Sequence, residues 1–191
     1  TAAHYNGKIP RNPFAMYHVD PDHKEREFLT LDELTAMTEI KLEDPNMAFA
    51  RDLFIFGCWT GISFIDIKNL TEDNISMING APWIVSKRQK TGVPFQIKLM
   101  DIPMQIIGRY KAFRKGSHLF NIGNLDSINK CIKKVAAMCG IKKRVSFHVS
   151  RHSWAVLALE YGMPIESVSK ILGHTNITTT QIYAKVTSTK L

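Results

Sequence analysis

Over residues 1–27 the apolar and polar positions follow no period. The stretch is polar, carries prolines, and reads as a linker or lead-in arm. Regular patterning begins at Thr30-Leu31-Asp32-Glu33. There the Thr30 hydroxyl can accept from the Glu33 N–H while Glu33 reaches back, a capping box that predicts a helix to about Ile40. Asp44-Pro45 is a second start signal, an N-cap carboxylate followed by proline at the first helical position. The run that follows, MAFARDLFIFGCW, is largely apolar, so a central, buried helix is predicted to about Trp59, ended by Gly61. A short helix is predicted over Phe64 to Asn69.

The period then changes from helical to alternating. NISMINGAPWIVSKRQKTGVPFQIKLM holds two turn signals, Asn79-Gly80 and Thr91-Gly92, between segments that alternate apolar and polar residues. This predicts two hairpins forming a three-stranded antiparallel sheet, with Lys90 at the second tip. From Pro103 onward the pattern is helical again, with helices predicted at about 103–115, 126–139, 148–161, 164–172 and 177–185; Gly140, Gly162 and Gly173 supply three of the stops. The fold class is therefore mainly α with a small three-stranded antiparallel sheet (α+β). Residues 1–27 form the arm and residues 28–191 a single domain.

Composition narrows the function. No apolar run approaches the ~20 residues of a membrane span, and the first residues, TAAHYNGKIP, have no apolar signal-peptide core. Three cysteines without a CxxC pair fit reduced thiols inside a cell. The net charge is +8, and basic residues come in groups such as Lys87–Arg88–Lys90 and Lys142–Lys143–Arg144. That pattern points to a polyanion partner, with DNA the leading candidate.

Two stretches carry chemistry. In FHVSRHSWA, His148 and Arg151 are three residues apart in the first turn of a helix and share a face. A helix N-terminus suits an anion, and a guanidinium can grip two phosphate oxygens at once. His148 and His152 also have the spacing of a metal pair. There is no HExxH and no obvious third ligand, so no metal and no cofactor are expected. In LGHTNITTTQIYAK, Gly173 exposes His174 at a helix end, Asn176 can cap the next helix, and that helix carries Tyr183. Its threonines make it a weak helix, useful if the tyrosine must move.

Taken in order, His148-x-x-Arg151, Leu172-Gly173-His174 and Tyr183 nine residues later closely resemble the catalytic domain of the tyrosine recombinases, the phage and transposon integrase family. Lys90, in Gln89-Lys90-Thr91-Gly92, is similar to that family's catalytic lysine, and the likeness covers roughly Phe28 to Lys185. The resemblance implies a site-specific recombinase or integrase of a mobile element. Tyr183 would attack a DNA phosphodiester, giving a covalent 3′-phosphotyrosine and a free 5′-hydroxyl. Arg151 and His174 would bond the non-bridging oxygens, His148 would assist proton removal, and Lys90 would protonate the leaving oxygen. It further implies double-stranded attachment or crossover DNA as partner, a homotetramer on that DNA, an accessory DNA-bending protein, and a place in the bacterial cytoplasm with the nucleoid. Family members carry one or two further N-terminal DNA-binding domains, from which residues 1–27 would lead. The end of the chain, Ala184 to Leu191, would dock on a neighbouring subunit.

One position departs from the pattern. The family's first box reads T-G-x-R-x-x-E/D, and here it is Thr60-Gly61-Ile62-Ser63-Phe64-Ile65-Asp66, with Ser63 at the arginine position and Asp66 intact. A subgroup of integrases from conjugative transposons of gut bacteria resembles this chain in that serine. Ser63-x-x-Asp66 can cap the short helix, but a serine cannot supply a cationic fork. Arg51, on the buried helix before the box, is the first candidate for the missing cation, and Arg88 the second. Two other functions compete: a catalytically impaired DNA-binding member of the same fold, and a type IB topoisomerase-like enzyme.

Overall fold

The computed structural model describes residues 5–7, 10 and 26–188. Most of the predicted arm, and residues 189–191 of the chain end expected to dock on a neighbour, lie outside these residues. The capping box forms as its sequence dictates. Thr30 Oγ1 accepts from Glu33 N (3.3 Å), Glu33 Oε2 accepts from Thr30 N (2.8 Å), and α1 runs over Leu31–Glu39. Asp44 Oδ1 accepts from Asn46 N at the start of α2, Pro45–Thr60. Nearly every residue of α2 from Ala50 to Thr60 is buried. The helix is buried on all faces because α1, α4 (Asp101–Arg109), α5 (Leu125–Met138) and α6 (Phe147–Glu160) all pack on it.

Two glycines let α2 and α6 approach this closely. A Cβ on Gly57 would sit 2.5 Å from Ser150 Oγ, and one on Gly61 would sit 2.5 Å from the Trp154 ring. Gly61 also has φ +65°, the left-handed conformation that ends the helix. The chain then forms α3, Phe64–Lys68, and a 3₁₀ turn over Glu72–Asn74.

The sheet has the predicted order, β1 (Ile75–Ile78), β2 (Ala81–Lys87) and β3 (Pro94–Lys98), all antiparallel. Asn79 and Gly80 both take positive φ (50° and 75°), which matches the twist of the strands they join. β3 packs against α7, Ile165–Leu172, and this contact brings the hairpin next to the second half of the chain. The last described helix, α8, is Thr178–Ser188, and the Asn176 side chain accepts from Thr178 N at its start (2.9 Å).

One helix is shorter than its pattern predicts. The expected helix at 103–115 ends at Arg109 and is followed by a 3₁₀ turn, Lys111–Phe113. The Tyr110 hydroxyl donates to buried Asp52 Oδ2 on α2 (2.8 Å), and Arg114 bonds back to the Leu119 carbonyl, so the chain is drawn inward. A second, smaller apolar cluster joins α6, α7 and α8 through Trp154, Ala155, Val156, Val168, Leu172 and Tyr183. No described helix is long and apolar enough to cross a membrane.

Candidate active site

The site is assembled from chain ends and helix ends around the first box. Ser63 is the N-cap of α3: its Oγ accepts from Asp66 N (3.4 Å) and donates to Asp66 Oδ2 (2.7 Å). Asp66 is 7% exposed and ties the β2–β3 hairpin to the helical body. Its Oδ1 accepts from Gln89 N (2.8 Å) and its Oδ2 from Arg88 Nη1 (2.9 Å). Arg88 is thereby held inside the protein, 5% exposed, with its guanidinium carbon 4.0 Å from the centre of the Phe95 ring. Its Nη2 donates to the Ile171 carbonyl, and its buried Nε has no hydrogen-bond partner among the described residues.

Arg151 reaches the same place from α6. Its Nη1 donates to the Gly61 carbonyl (3.0 Å) and its Nη2 to the Leu172 carbonyl. Arg88 and Arg151 therefore grip successive carbonyls at the end of α7, immediately before Gly173-His174. Burial first, and the charge of Arg88 second, bring the Arg151 guanidinium down to about 10, so it stays cationic at neutral pH. Gly173 has φ +64°, and a Cβ on it would lie 2.9 Å from Arg88 Cγ. The glycine of the Leu-Gly-His motif thus both turns the chain and leaves room for Arg88.

Arg51 is not part of this cluster. It is 8% exposed, its Nε bonds Asp52 (2.6 Å), and its Nη1 donates to the carbonyls of Met37, Thr38 and Ile40. It closes the carbonyl end of α1 and stands about ten residues before Gly61, roughly 15 Å along the α2 axis. The structure does not bring Arg51, the first candidate for the missing cation, to this cluster: its Nε and Nη1 are bonded to Asp52 and to the carbonyls of α1, and Arg88 is the arginine beside Ser63 and Asp66.

His148 lies one turn before His152 on α6, and their rings meet edge to face at 4.3 Å. Burial and then the charges of Arg151 and Arg26 lower the pKa of His148. Two N–H groups at this helix start are already taken: Phe147 N donates to Asn129 Oδ1 (2.7 Å) and Val149 N to the Ser146 carbonyl (2.9 Å). Lys90 is exposed in the turn two residues beyond Arg88 and makes no hydrogen bond or ion pair among the described residues.

His174 Nδ1 lies 2.9 Å from Oγ1 of Thr180, which is fully buried. Burial, then Arg151, Arg26, Arg88 and His148, lower His174 to about 4, so the ring is neutral at pH 7. With the Thr180 hydroxyl donating to Nδ1, the ring proton sits on Nε2, which can still donate to an anion. Tyr183 is 2% exposed, not a surface residue. Its hydroxyl meets His152 Nδ1 (2.6 Å) and accepts from Arg26 Nη1 (3.1 Å). Three residues that sequence reasoning left out of the site, Arg26, His152 and Thr180, are thus bonded to the predicted ones. Thr180 could have been suspected from its place between His174 and Tyr183. Arg26, more than 150 residues from the tyrosine it touches, gave no local signal.

Three guanidiniums and three imidazoles share this region, and Asp66, the carboxylate bonded among them, is already paired with Arg88. The arrangement carries excess positive charge with short N–H donors. It is suited to a singly charged, multi-oxygen anion such as a phosphodiester. Among the described residues no group of histidines, cysteines and carboxylates is placed to hold a metal ion.

Comparison with known proteins bears on the family and the fold. Residues 27–190 match the model of the phage integrase family. The tyrosine recombinase XerC of Oceanobacillus iheyensis is 27% identical over 208 residues, covering 97% of this chain and 65% of the relative. XerD of the same organism is 24% identical over 91% of this chain and 63% of the relative, so the chain spans under two thirds of either. Among solved structures, XerH recombinase bound to palindromic difH substrate in a post-cleavage complex superposes with TM-score 0.76 at 18% identity, over 91% of this chain and 53% of that one. The Tn1549 transposon integrase in complex with circular intermediate DNA gives 0.74 at 19% identity, over 95% of this chain and 69% of that one. These likenesses establish the fold, mainly helical with a three-stranded antiparallel sheet, as that of tyrosine recombinase catalytic domains. The match across residues 27–190 shows that the chain belongs to the phage integrase family.

Proposed function

We propose that this chain is the catalytic domain of a site-specific DNA recombinase, an integrase of a mobile element, that cuts and rejoins DNA through Tyr183. The observation that carries the reading is the convergence of Arg151, Arg88 and His174 on one positively charged place beside the tyrosine helix. A phosphodiester held there would have its non-bridging oxygens bonded by Arg151 and by His174 Nε2–H as charge develops. The Tyr183 oxygen forms a bond to phosphorus as the P–O5′ bond breaks. The phenolic proton passes to the neighbouring imidazoles, His152 bonded to the hydroxyl and His148 beside it assisting, and Lys90 delivers a proton to the departing 5′-oxygen. The energy of the broken bond is kept in the phosphotyrosine, so a second 5′-hydroxyl can reverse the step on a new partner without ATP.

Arg88 takes the part of the arginine absent from the first box. It stands beside Ser63, is ion-paired to Asp66 of that box, and its charge bears on both Arg151 and His174. Ser63 caps α3 and holds Asp66, which in turn positions Arg88. The same anion site would support the fold as a DNA-binding module without cleavage, but a binding module has no use for a tyrosine hydroxyl held by two side chains. The Tn1549 integrase likeness supports a conjugative-transposon setting. A tetramer on two duplexes, an accessory DNA-bending protein and a cytoplasmic, nucleoid-associated location follow from the same reading.

The test is a nicked suicide DNA incubated with the full-length protein, with covalent adduct resolved on a denaturing gel. An adduct formed by the wild type and lost in Tyr183→Phe supports the reading. DNA binding without adduct in the wild type overturns it in favour of the binding module. Relaxation of supercoiled plasmid without partner exchange would instead identify a type IB topoisomerase-like enzyme.

A further inference from the structure

A phenol oxygen carries one proton and two lone pairs. Arg26 can only donate, so its 3.1 Å bond occupies a lone pair of Tyr183 Oη. The proton of Tyr183 is then free to point at His152 Nδ1, 2.6 Å away, which requires the imidazole proton on Nε2. The His152 ring is suited to this. It is 7% exposed, and burial, followed by the charges of His148, Arg26, Arg151 and His174, lowers it to about 3, so it remains a neutral acceptor. The two bonds together set the direction of the hydroxyl in a tyrosine that is 2% exposed.

Arg26 also faces the anion site. Its charge bears on His148, His152 and His174 alike, and its guanidinium carbon lies 5.7 Å from the centre of the Tyr183 ring. Arg26 is half-buried and lies three residues before Leu29, the first core residue among those described. A phosphodiester offers a guanidinium two non-bridging oxygens that share one negative charge, a stronger partner than one neutral phenol.

We propose that His152 and Arg26 are positioning residues for the Tyr183 hydroxyl. His152 holds its proton, and Arg26 covers its lone pair until a DNA phosphate draws the guanidinium away. The proposal rests on the reading of Tyr183 as the nucleophile. No covalent bond changes in this exchange: an arginine–phenol hydrogen bond is replaced by an arginine–phosphate bond, and the freed lone pair is the one that attacks phosphorus. In the absence of DNA the tyrosine is shielded. In its presence the hydroxyl stays aligned by His152 alone.

Two measurements on the full-length protein test this. The first is the single-turnover rate of adduct formation at saturating suicide DNA. His152→Leu should slow it by ~10-fold or more with DNA affinity unchanged, since one aligned hydrogen bond is lost at the reacting oxygen. His152→Asn, whose amide oxygen can stand where Nδ1 does, should recover most of the rate. The second is nitration of Tyr183 by tetranitromethane without DNA, read by mass spectrometry. Arg26→Ala should raise it several-fold and lower the salt slope of DNA binding by about one counterion. Equal slowing by His152→Leu and His152→Asn, with matching losses of thermal stability, would assign His152 to packing and overturn its positioning role. Unchanged nitration in Arg26→Ala would overturn the role of Arg26. Absence of any adduct in the wild type would be a failure of the nucleophile reading itself, a result separable from the other two.

Discussion

Arg88→Ala is the substitution that bears most directly on the site. It removes a guanidinium that bonds Asp66, the Ile171 carbonyl and the face of Phe95. Asp66, 7% exposed, keeps the Gln89 N–H and the Ser63 hydroxyl but loses the one ion-pair partner it has among the described residues. Breaking a buried pair on one side costs about 3–5 kcal/mol, a large share of the roughly 5–15 kcal/mol that holds a domain together. The catalytic loss is separate: one missing donor at a developing oxyanion lowers the rate by ~10²–10³. Both quantities are measurable, stability by denaturant unfolding and rate by adduct formation at saturating DNA below the unfolding transition. Ser63→Arg alone should be mildly destabilising, by about 1 kcal/mol, because it removes the α3 cap. Combined with Arg88→Ala it returns a guanidinium beside Asp66 and should recover at least ~10-fold of the lost rate. Arg51→Ala is the counterpart. It unseats the Met37, Thr38 and Ile40 carbonyls and should destabilise by a comparable few kcal/mol, about 3–5, while the folded protein cleaves normally. Cleavage at the wild-type rate by folded Arg88→Ala, or a catalytic defect confined to Arg51→Ala, refutes the assignment.

Stability should fall as pH drops from 7 to 5. His152 is held near 3 and His174 near 4 in the folded protein, and both titrate near 6.5 when unfolded, so over that window the unfolded chain binds the extra protons; the His152 share is on the order of 2 kcal/mol and should be lost from the pH slope in His152→Asn, leaving that of His174, as followed by urea unfolding at each pH. Thr180→Val removes the hydroxyl that sets the His174 ring and should slow cleavage by ~10-fold while DNA affinity is retained, measured by single-turnover adduct formation and gel shift. Gly173→Ala places a Cβ 2.9 Å from Arg88 Cγ at a positive φ, and should reduce the rate more than Gly140→Ala, another positive-φ helix stop with no neighbour to strike, although both lose roughly 1–2 kcal/mol. DNA affinity should fall steeply between low and physiological salt, as a protein of net charge +8 that neutralises backbone phosphates requires, seen in fluorescence anisotropy titrations.

Local rules determined most of the architecture before any tertiary contact was known. The Thr30–Glu33 box, the Asp44-Pro45 start, the Asn79-Gly80 turn and the positive-φ glycines at 61, 140, 162 and 173 all act within a few residues, and the elements they predict are the elements observed. The ordered set His148, Arg151, His174 and Tyr183 was legible through its resemblance to the tyrosine recombinase family. Length was misjudged most where a distant partner intervened, at Tyr110, whose hydroxyl turns inward to Asp52 on another helix; the last helix also runs three residues past its predicted end, to Ser188. The choice between Arg51 and Arg88 was of that second kind. Both lie near the box in sequence, but only packing shows that one guanidinium is closed over the carbonyls of α1 and the other is folded under α7 by Asp66. Arg26 and His152 belong with them, because hydrogen bonds between residues far apart in sequence have no period and no motif. The sequence by itself determined the helices and the hairpins. The tertiary structure alone decided which cations gather at the end of α7 and which side chains hold the tyrosine, because those depend on where packed helices bring their ends together.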